Sequence, residues 1–307
     1  MVYQHPGHQF IQQHGLLTNK KEGDRYVSQY ASFLRQRAKI ENIVPVDLDR
    51  IYRHFEMPVP YRAPLVDQQG ILVDGDAGII LIKEDDPRVR QRFTEGHELI
   101  ELLFEAHHQM TKPSDQQGVK QVAEKDITRA SELNGPVWQG AIKEKWCDHG
   151  AAELLMPNST FTPQMVEQGF SFDTARTLSK LYLTSFMATL LHMLEYTDGS
   201  HAMVMWHWAV SRADQAKSNR TGIPPEQKLR VWWCQKSAEW TGGFIPRNKS
   251  IARPSCIIDT GLYQKPHNAI ETFAFEKSPV QYTIEAMPIR LDGKNCVLSL
   301  LSTTDFT

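Results

Sequence analysis

The sequence predicts an α+β protein in which helices surrounding one strand pair precede a mostly β C-terminal domain. Residues 92–104 place apolar side chains at three- and four-residue intervals, which is typical of a helix with one buried face. Residues 70–82 contain two runs rich in β-branched residues, separated by a turn sequence. After residue 200 the helical pattern gives way to short apolar runs bounded by turn residues.

Composition narrows the class of protein. The 307 residues are enough for two or three domains, and 41% hydrophobic with 23% charged residues is ordinary for a soluble globular protein. The four cysteines are far apart and form no Cys-x-x-Cys pair, which favours reduced thiols and a cytoplasmic location. No apolar run approaches the ~20 residues that span a bilayer. The net charge of -2, without a concentrated basic patch, argues against a nucleic-acid partner.

The N-terminal region is predicted to be a tail followed by two helices. Residues 1–22 read as a flexible tail because they are polar, rich in His and Gln, and lack an apolar secretory segment. A helix is predicted from Asp24, which can cap it, since four aromatic or aliphatic residues up to position 34 share one face. A second, short helix is predicted at 46–55, and Pro58 ends it.

The strand pair and the long helix follow directly. Residues 70–73 and 78–82 are predicted to form a hairpin, because Asp-Gly-Asp-Ala between them is a turn sequence. Asp86 and Pro87 supply an N-cap and a proline for the first turn, so the long helix is predicted to begin there. An edge strand directly before such a helix can accept an extended peptide as an additional strand.

The middle of the chain alternates polar and helical segments. Residues 107–136 are read as an exposed insertion with one helical stretch near 119–133. A second strong helix is predicted from about residue 136 to 156, where Pro157 stops it. Residues 173–196 form two helical segments with helix-turn-helix spacing. The second segment lacks the Arg, Asn and Gln side chains that read base edges, which argues against direct DNA binding.

The C-terminal pattern predicts six strands, at 202–208, 229–233, 255–258, 271–275, 281–287 and 295–301. Turn sequences such as Gly242-Gly243 and Asp292-Gly293 separate them. The predicted organisation is a flexible tail at 1–22, a first domain at 23–160, a helical segment at 161–199 and a β-rich domain at 200–307.

The long helix carries three side chains that can bind a metal ion or transfer a proton, His97, Glu98 and Glu101. The sequence His-Glu-Leu-Ile-Glu is close to His-Glu-x-x-His of zinc proteases, in which both histidines bind the metal and the glutamate is the general base. Here Glu101 stands in place of the second histidine. Residues 97 and 101 lie ~6 Å apart along a helix, so both can reach one metal ion. Glu98 would then face the attacking water.

A third ligand is expected from the second helix, because a catalytic zinc site needs three protein ligands and one open position. Glu144 can be that ligand, and Asp148, one turn later, can accept a hydrogen bond from an imidazole N–H. His107 and His108 lie ~15 Å beyond His97 along a straight helix and cannot share its metal.

The long helix carries Arg92-Phe-Thr-Glu-Gly-His-Glu-Leu-Ile-Glu-Leu-Leu-Phe, which resembles the Arg-Phe-Thr-x-Ala-His-Glu-x-Gly-His-x-Leu-Leu signature of the ImmA/IrrE metallopeptidases. Residues 144–157 are similar to that family's second helix, Glu-x-x-(Ala/Cys)-Asn-x-Phe-Ala-Ala-x-Leu-Leu-Met-Pro. The resemblance covers nearly the whole chain and is most specific over residues 86–157. It implies a zincin-like metallopeptidase domain, helix-turn-helix-like helices and a GAF-like sensory domain at the C-terminal end.

By that matching, His97 is the first zinc ligand, Glu98 the general base and Glu144 the third ligand. Two of the departures from the family pattern bear on the site: Glu101 replaces the second histidine, and Gly150 replaces the usual phenylalanine. One imidazole and two carboxylates make a harder, more anionic site, in which hydrolysis is slower and Mn²⁺ or another hard ion is better tolerated than usual.

The resemblance implies a cytoplasmic endopeptidase that cleaves a protein substrate, a transcription repressor of the helix-turn-helix type, in a stress or mobile-element response. The alternative interpretation is a weakened or inactive protease scaffold that acts as a protein-binding or sensor module. In that case Glu101 binds no metal and only accepts a hydrogen bond from a neighbour.

Overall fold

The computed structural model describes residues 3–111, 140–276 and 278–303. Most of the polar insertion expected at 107–136, including the helical stretch near 119–133, lies outside these residues. The described part of the chain mixes α-helices with β-strands and ends in an antiparallel sheet, as predicted. None of the described helices combines the length and apolar character that a membrane span requires.

The chain divides into two compact units. The N-terminal unit comprises Met1–Phe161 and Ser179–Ser185, and the C-terminal unit comprises Thr162–Leu178 and Phe186–Thr307. Most of the helical segment expected at 161–199 belongs to the unit that contains the C-terminal sheet.

The described helices and strands up to residue 155 are α1 (Pro6–His14), α2 (Gly23–Arg37), α3 (Leu48–His54), β1 (Tyr61–Ala63), β2 (Gly70–Asp74), β3 (Ile79–Lys83), α4 (Arg88–Thr111) and α5 (Ala141–Leu155). The two predicted N-terminal helices correspond to α2 and α3, and the predicted hairpin corresponds to β2 and β3. The long helix and the second strong helix correspond to α4 and α5, which carry the residues singled out above.

Residues 6–14 form helix α1, so the flexible tail expected at 1–22 is wrong for this segment. Phe10 and Ile11 are buried, and the Phe10 ring packs edge-on against Tyr26 and Tyr30 of α2. The His5 ring accepts a hydrogen bond from a backbone N–H in the first turn. The sequence did not predict this helix, because its composition is polar and only two large apolar side chains pack into the core, too few to show a helical period.

Replacing Phe10 with alanine is expected to lower the free energy of unfolding by about 3 kcal/mol, because truncating a buried aromatic side chain leaves a cavity. The matched control is Gln12→Ala on the exposed side of the same helix, which should change that free energy by less than about 0.5 kcal/mol. Urea denaturation of both variants measures the difference. Equal stability of the two would show that α1 does not belong to the core.

The three N-terminal strands form a sheet in the order β1-β3-β2. Strand β2 pairs antiparallel with β3, as predicted, and β1 pairs parallel with it. Strand β1 was not predicted, because the three residues between Pro60 and Pro64 are too few to show the two-residue period of a strand. Within the described residues β2 is an edge strand, and no other strand pairs with its outer side.

Helix α4 packs against α1, α5, β2 and β3 and forms the centre of the N-terminal unit. Small residues let α4 and α5 approach closely. A Cβ added at Gly96 would lie 3.3 Å from the Cβ of Ala151. A Cβ added at Gly150 would lie 2.9, 3.0 and 3.1 Å from three side-chain atoms of Ile100. This close crossing brings the polar side chains of the two helices together on one side of the contact.

The later elements are α6 (Asn158–Gln168), α7 (Phe172–Tyr182), α8 (Phe186–Tyr196), β4 (His201–Ala209), α9 (Arg212–Thr221), β5 (Lys228–Lys236), α10 (Cys256–Tyr263), β6 (His267–Phe273), β7 (Val280–Leu291) and β8 (Lys294–Thr303). Strands β4 to β8 form an antiparallel sheet in the order β5-β4-β8-β7-β6. Trp206 is buried in its core, where the indole N–H donates a 2.8 Å hydrogen bond to Ser299 Oγ.

The strand predicted at 255–258 is wrong, because these residues begin helix α10. The Ser255 side chain caps the helix by accepting a hydrogen bond from the Ile257 N–H. The Glu271 carboxylate accepts a second one from the Cys256 N–H. The β-branched residues favour a strand in isolation, but the cap and the burial of this segment against the sheet favour the helix.

Candidate metal centre

A pocket of about 450 Å³ is lined by residues of α4, α5 and the edge strand β2. All five side chains singled out from the sequence line it, namely His97, Glu98, Glu101, Glu144 and Asp148. The close crossing of α4 and α5 therefore brings together residues that are about fifty positions apart in the sequence.

His97 lies at the centre of this cluster. Its Nδ1 is 3.0 Å from Oδ1 of Asp148. A carboxylate can only accept a hydrogen bond, so Nδ1 carries the proton in the neutral ring and Nε2 presents its lone pair. That Nε2 is 3.5 Å from Oε2 of Glu144 and 4.0 Å from Oε2 of Glu101. A carboxylate that orients a histidine in this way is common behind metal ligands.

The charges around His97 are unbalanced. Among the described residues that line the pocket, four are carboxylates and one, Lys143, is a lysine. Burial lowers the pKa of His97, but the hydrogen bond to Asp148 and the neighbouring carboxylates outweigh burial and raise that pKa above its ordinary value. An excess of negative charge around an imidazole nitrogen favours binding of a cation.

Glu98 is only 6% exposed and lies beside strand β2. Burial raises the pKa of Glu98 to about 7, with the charge of His97 opposing the shift and that of Glu101 adding to it. The Leu72 N–H of β2 donates a hydrogen bond to the Glu98 carboxylate. A Cβ added at Gly70 would lie 2.7 Å from Oε1 of Glu98, so the glycine allows the strand to approach this carboxylate.

Lys143 is a pocket residue that sequence reasoning missed. Its Nζ is 2.5 Å from Oε1 of Glu101 and 3.9 Å from Oε1 of Glu144. Burial lowers the pKa of Lys143, but the hydrogen bond and charge of Glu101 raise it above its ordinary value. No motif marks this lysine, because most helical lysines lie on solvated surfaces. The contact depends on how α5 packs against α4.

Cys147 is a further neighbour of the cluster. One ligand atom from each of His97, Glu101 and Cys147 lies within 4.8 Å of the other two. Cys147 is fully buried, and burial raises the pKa of its thiol well above the ordinary value. Only the thiolate is a good metal ligand, so Glu144 is the more favourable third donor.

The donor set fits a divalent cation. Two carboxylates, one from each helix, approach the Nε2 atom of His97, and the pocket extends to β2. Zn²⁺ accepts imidazole and carboxylate ligands, and Mn²⁺ favours the harder oxygen donors. The donor types of His97, Glu101 and Glu144 are therefore compatible with either ion.

Asp148→Ala is expected to weaken metal binding by about 10- to 100-fold, because residue 148 then no longer accepts the hydrogen bond that fixes the orientation of His97. The matched control is Asp24→Ala, which removes an exposed carboxylate that pairs with Lys145 of α5 outside the pocket. Titration of both variants with Zn²⁺ measures the change. Unaltered affinity in Asp148→Ala would show that this carboxylate does not support a metal ligand.

Comparisons with known proteins show the fold alone. No protein-family model matches the sequence, and no curated protein matches it. Among solved structures, the chain is similar to a Mycobacterium tuberculosis transcriptional regulator, with a TM-score of 0.53 and 10% identical residues. The match covers 97% of this chain and 79% of that chain.

Proposed function

We propose that this protein is a metal-dependent endopeptidase that cleaves a partner protein. The proposal depends on one observation, the approach of Glu101 and Glu144 to the Nε2 atom of His97. The other ring nitrogen of His97, Nδ1, is hydrogen-bonded to Asp148. The same pocket contains a buried carboxylate, Glu98, and an edge strand, which supports the proposal because the proposed ligands, base and substrate-binding backbone line one pocket.

A divalent ion held by His97, Glu101 and Glu144 would supply Lewis-acid polarisation of a peptide carbonyl and would lower the pKa of the attacking water. Glu98 would take the proton from that water and deliver it to the leaving amine. A pKa of about 7 suits both transfers, because the carboxylate gains and loses a proton readily near neutral pH. The free edge of β2 would bind the substrate as an added strand.

The proposed fold of the N-terminal unit is zincin-like, in line with the ImmA/IrrE resemblance. Two positions support that likeness by compensating for each other. The family signature has glycine where this chain has Ile100, and phenylalanine where it has Gly150. Ile100 and Gly150 lie in contact here, so the large and small residues have changed places across one helix crossing. The sheet of the C-terminal unit supports the proposal of a GAF-like sensory module.

The proposed substrate is a transcription repressor of the helix-turn-helix type. The similar structure is named a transcriptional regulator, which agrees with a role in transcription control. Thr189 and His192 of α8 are buried, so these polar side chains of the helix-turn-helix-like pair are not available to bases. A protein substrate is therefore favoured over direct DNA binding.

The proposal is tested by incubating the full-length protein with repressors encoded near its gene, in Zn²⁺, Mn²⁺ or EDTA. Mass spectrometry identifies the products. We expect cleavage at a defined peptide bond with metal and no cleavage in EDTA. Intact repressors under every metal condition would count against a peptidase.

A second function is favoured by one observation, the ion pair between Lys143 and Glu101. If that pair replaces the metal permanently, the unit is an inactive protease scaffold that binds a partner without cleaving it. Glu101→His separates the two functions. Metal binding that appears only in this variant would favour the scaffold, whereas metal binding by the natural protein favours the peptidase.

A further inference from the structure

Lys143 pairs with the same two carboxylates that are proposed as metal ligands. We propose that Lys143 is a tethered cation that competes with the metal for Glu101 and Glu144, and so sets the metal concentration at which the site fills. This inference rests on the proposed metal centre.

The geometry makes the competition direct. The Lys143 ammonium is 2.5 Å from one Glu101 oxygen and 3.9 Å from one Glu144 oxygen. The remaining oxygens of both carboxylates face Nε2 of His97. A divalent ion that bound all three donors would lie next to the ammonium, and two cations at such a separation repel strongly. Metal binding therefore requires Lys143 to leave Glu101.

Lys143 is able to leave. Its side chain is 26% exposed, so a route to solvent exists. The ammonium ends a flexible four-carbon chain and can be rehydrated outside the pocket. Without a metal, the same side chain neutralises part of the charge of the carboxylate cluster. Lys143 would thus hold the metal-free site together and oppose filling by weakly bound ions.

The test is calorimetric titration of the full-length protein and its variants with Zn²⁺ and Mn²⁺. Lys143→Met is expected to bind metal about 10- to 100-fold more tightly than the natural protein, the factor that corresponds to losing one hydrogen bond to a charged group. Lys143→Arg keeps a cation and should stay close to the natural affinity. The matched control is Lys145→Met on the same helix, whose side chain is 73% exposed and pairs with Asp24 outside the pocket.

A second readout is the melting temperature in EDTA. Lys143→Met should melt at a lower temperature than the natural protein, because the carboxylates then repel one another without a neighbouring ammonium. Metal should raise its melting temperature more than that of the natural protein. Lys143→Gln provides a polar variant should the methionine side chain disturb folding.

The outcomes separate this inference from the proposed function. Equal metal affinity in the natural protein and Lys143→Met overturns the competition and leaves the peptidase proposal standing. Binding only in Lys143→Met supports the competition and argues against a resident metal in the natural protein. If neither the natural protein nor Lys143→Met binds metal, both this inference and the proposed metal-dependent function are overturned. Lower melting without tighter binding would give Lys143 a structural role only, and the inference would fail.

Discussion

Glu98→Gln is expected to reduce peptide cleavage by about 10²- to 10⁴-fold while leaving metal affinity nearly unchanged. Glutamine has the shape of the natural side chain but cannot accept a proton from water, so the loss falls on the chemical step. Single-turnover cleavage measures the rate, and Zn²⁺ titration confirms that the site remains intact. Retained cleavage in Glu98→Gln would remove this residue from the mechanism.

The same carboxylate determines the expected pH dependence. A general base acts in its ionised form, so cleavage should rise as the pH increases through the pKa of Glu98. Burial places that pKa at about 7 without metal, and a bound cation lowers it, so the midpoint should lie at or below about 7. A cleavage rate that falls with pH over this range would contradict the assignment.

Glu144→Ala and Glu101→Ala are each expected to weaken metal binding by more than about 100-fold, the upper range for residues that only orient a ligand. Each substitution removes one of three donors, and the remaining two cannot hold a catalytic ion firmly. The matched control is Glu105→Ala, one turn beyond Glu101 on α4 and outside the pocket lining. Full metal affinity in Glu144→Ala would indicate that His97, Glu101 and Cys147 bind the metal instead.

Local pattern was enough to predict α4 and the spacing of the polar side chains that it presents to the pocket. The apolar period of residues 92–104 determines which face is buried, and that places His97 and Glu101 one turn apart. Glu144 and Asp148 were predicted from their one-turn spacing on the second helix, and the resemblance adds support for Glu144 only. The structure places both in the same pocket as His97.

The contacts of Lys143 and Cys147 could not be predicted in this way. They depend on the rotation and distance of α5 against α4, which the packing of Ile100 on Gly150 determines. Such contacts link residues more than forty positions apart and leave no local period. Helices α1 and α10 were missed for a related reason, because burial of a few side chains and one serine cap outweighed the local composition.

The central claim is that His97, Glu101 and Glu144 form a metal site, and the metal content of the purified full-length protein tests it most directly. Inductively coupled plasma mass spectrometry should find about one Zn²⁺ or other divalent ion per chain of the natural protein after exposure to metal and desalting. Glu101→Ala and Glu144→Ala should retain far less under the same treatment. A natural protein that keeps neither Zn²⁺ nor Mn²⁺, with metal levels equal to those of both variants, would contradict the claim.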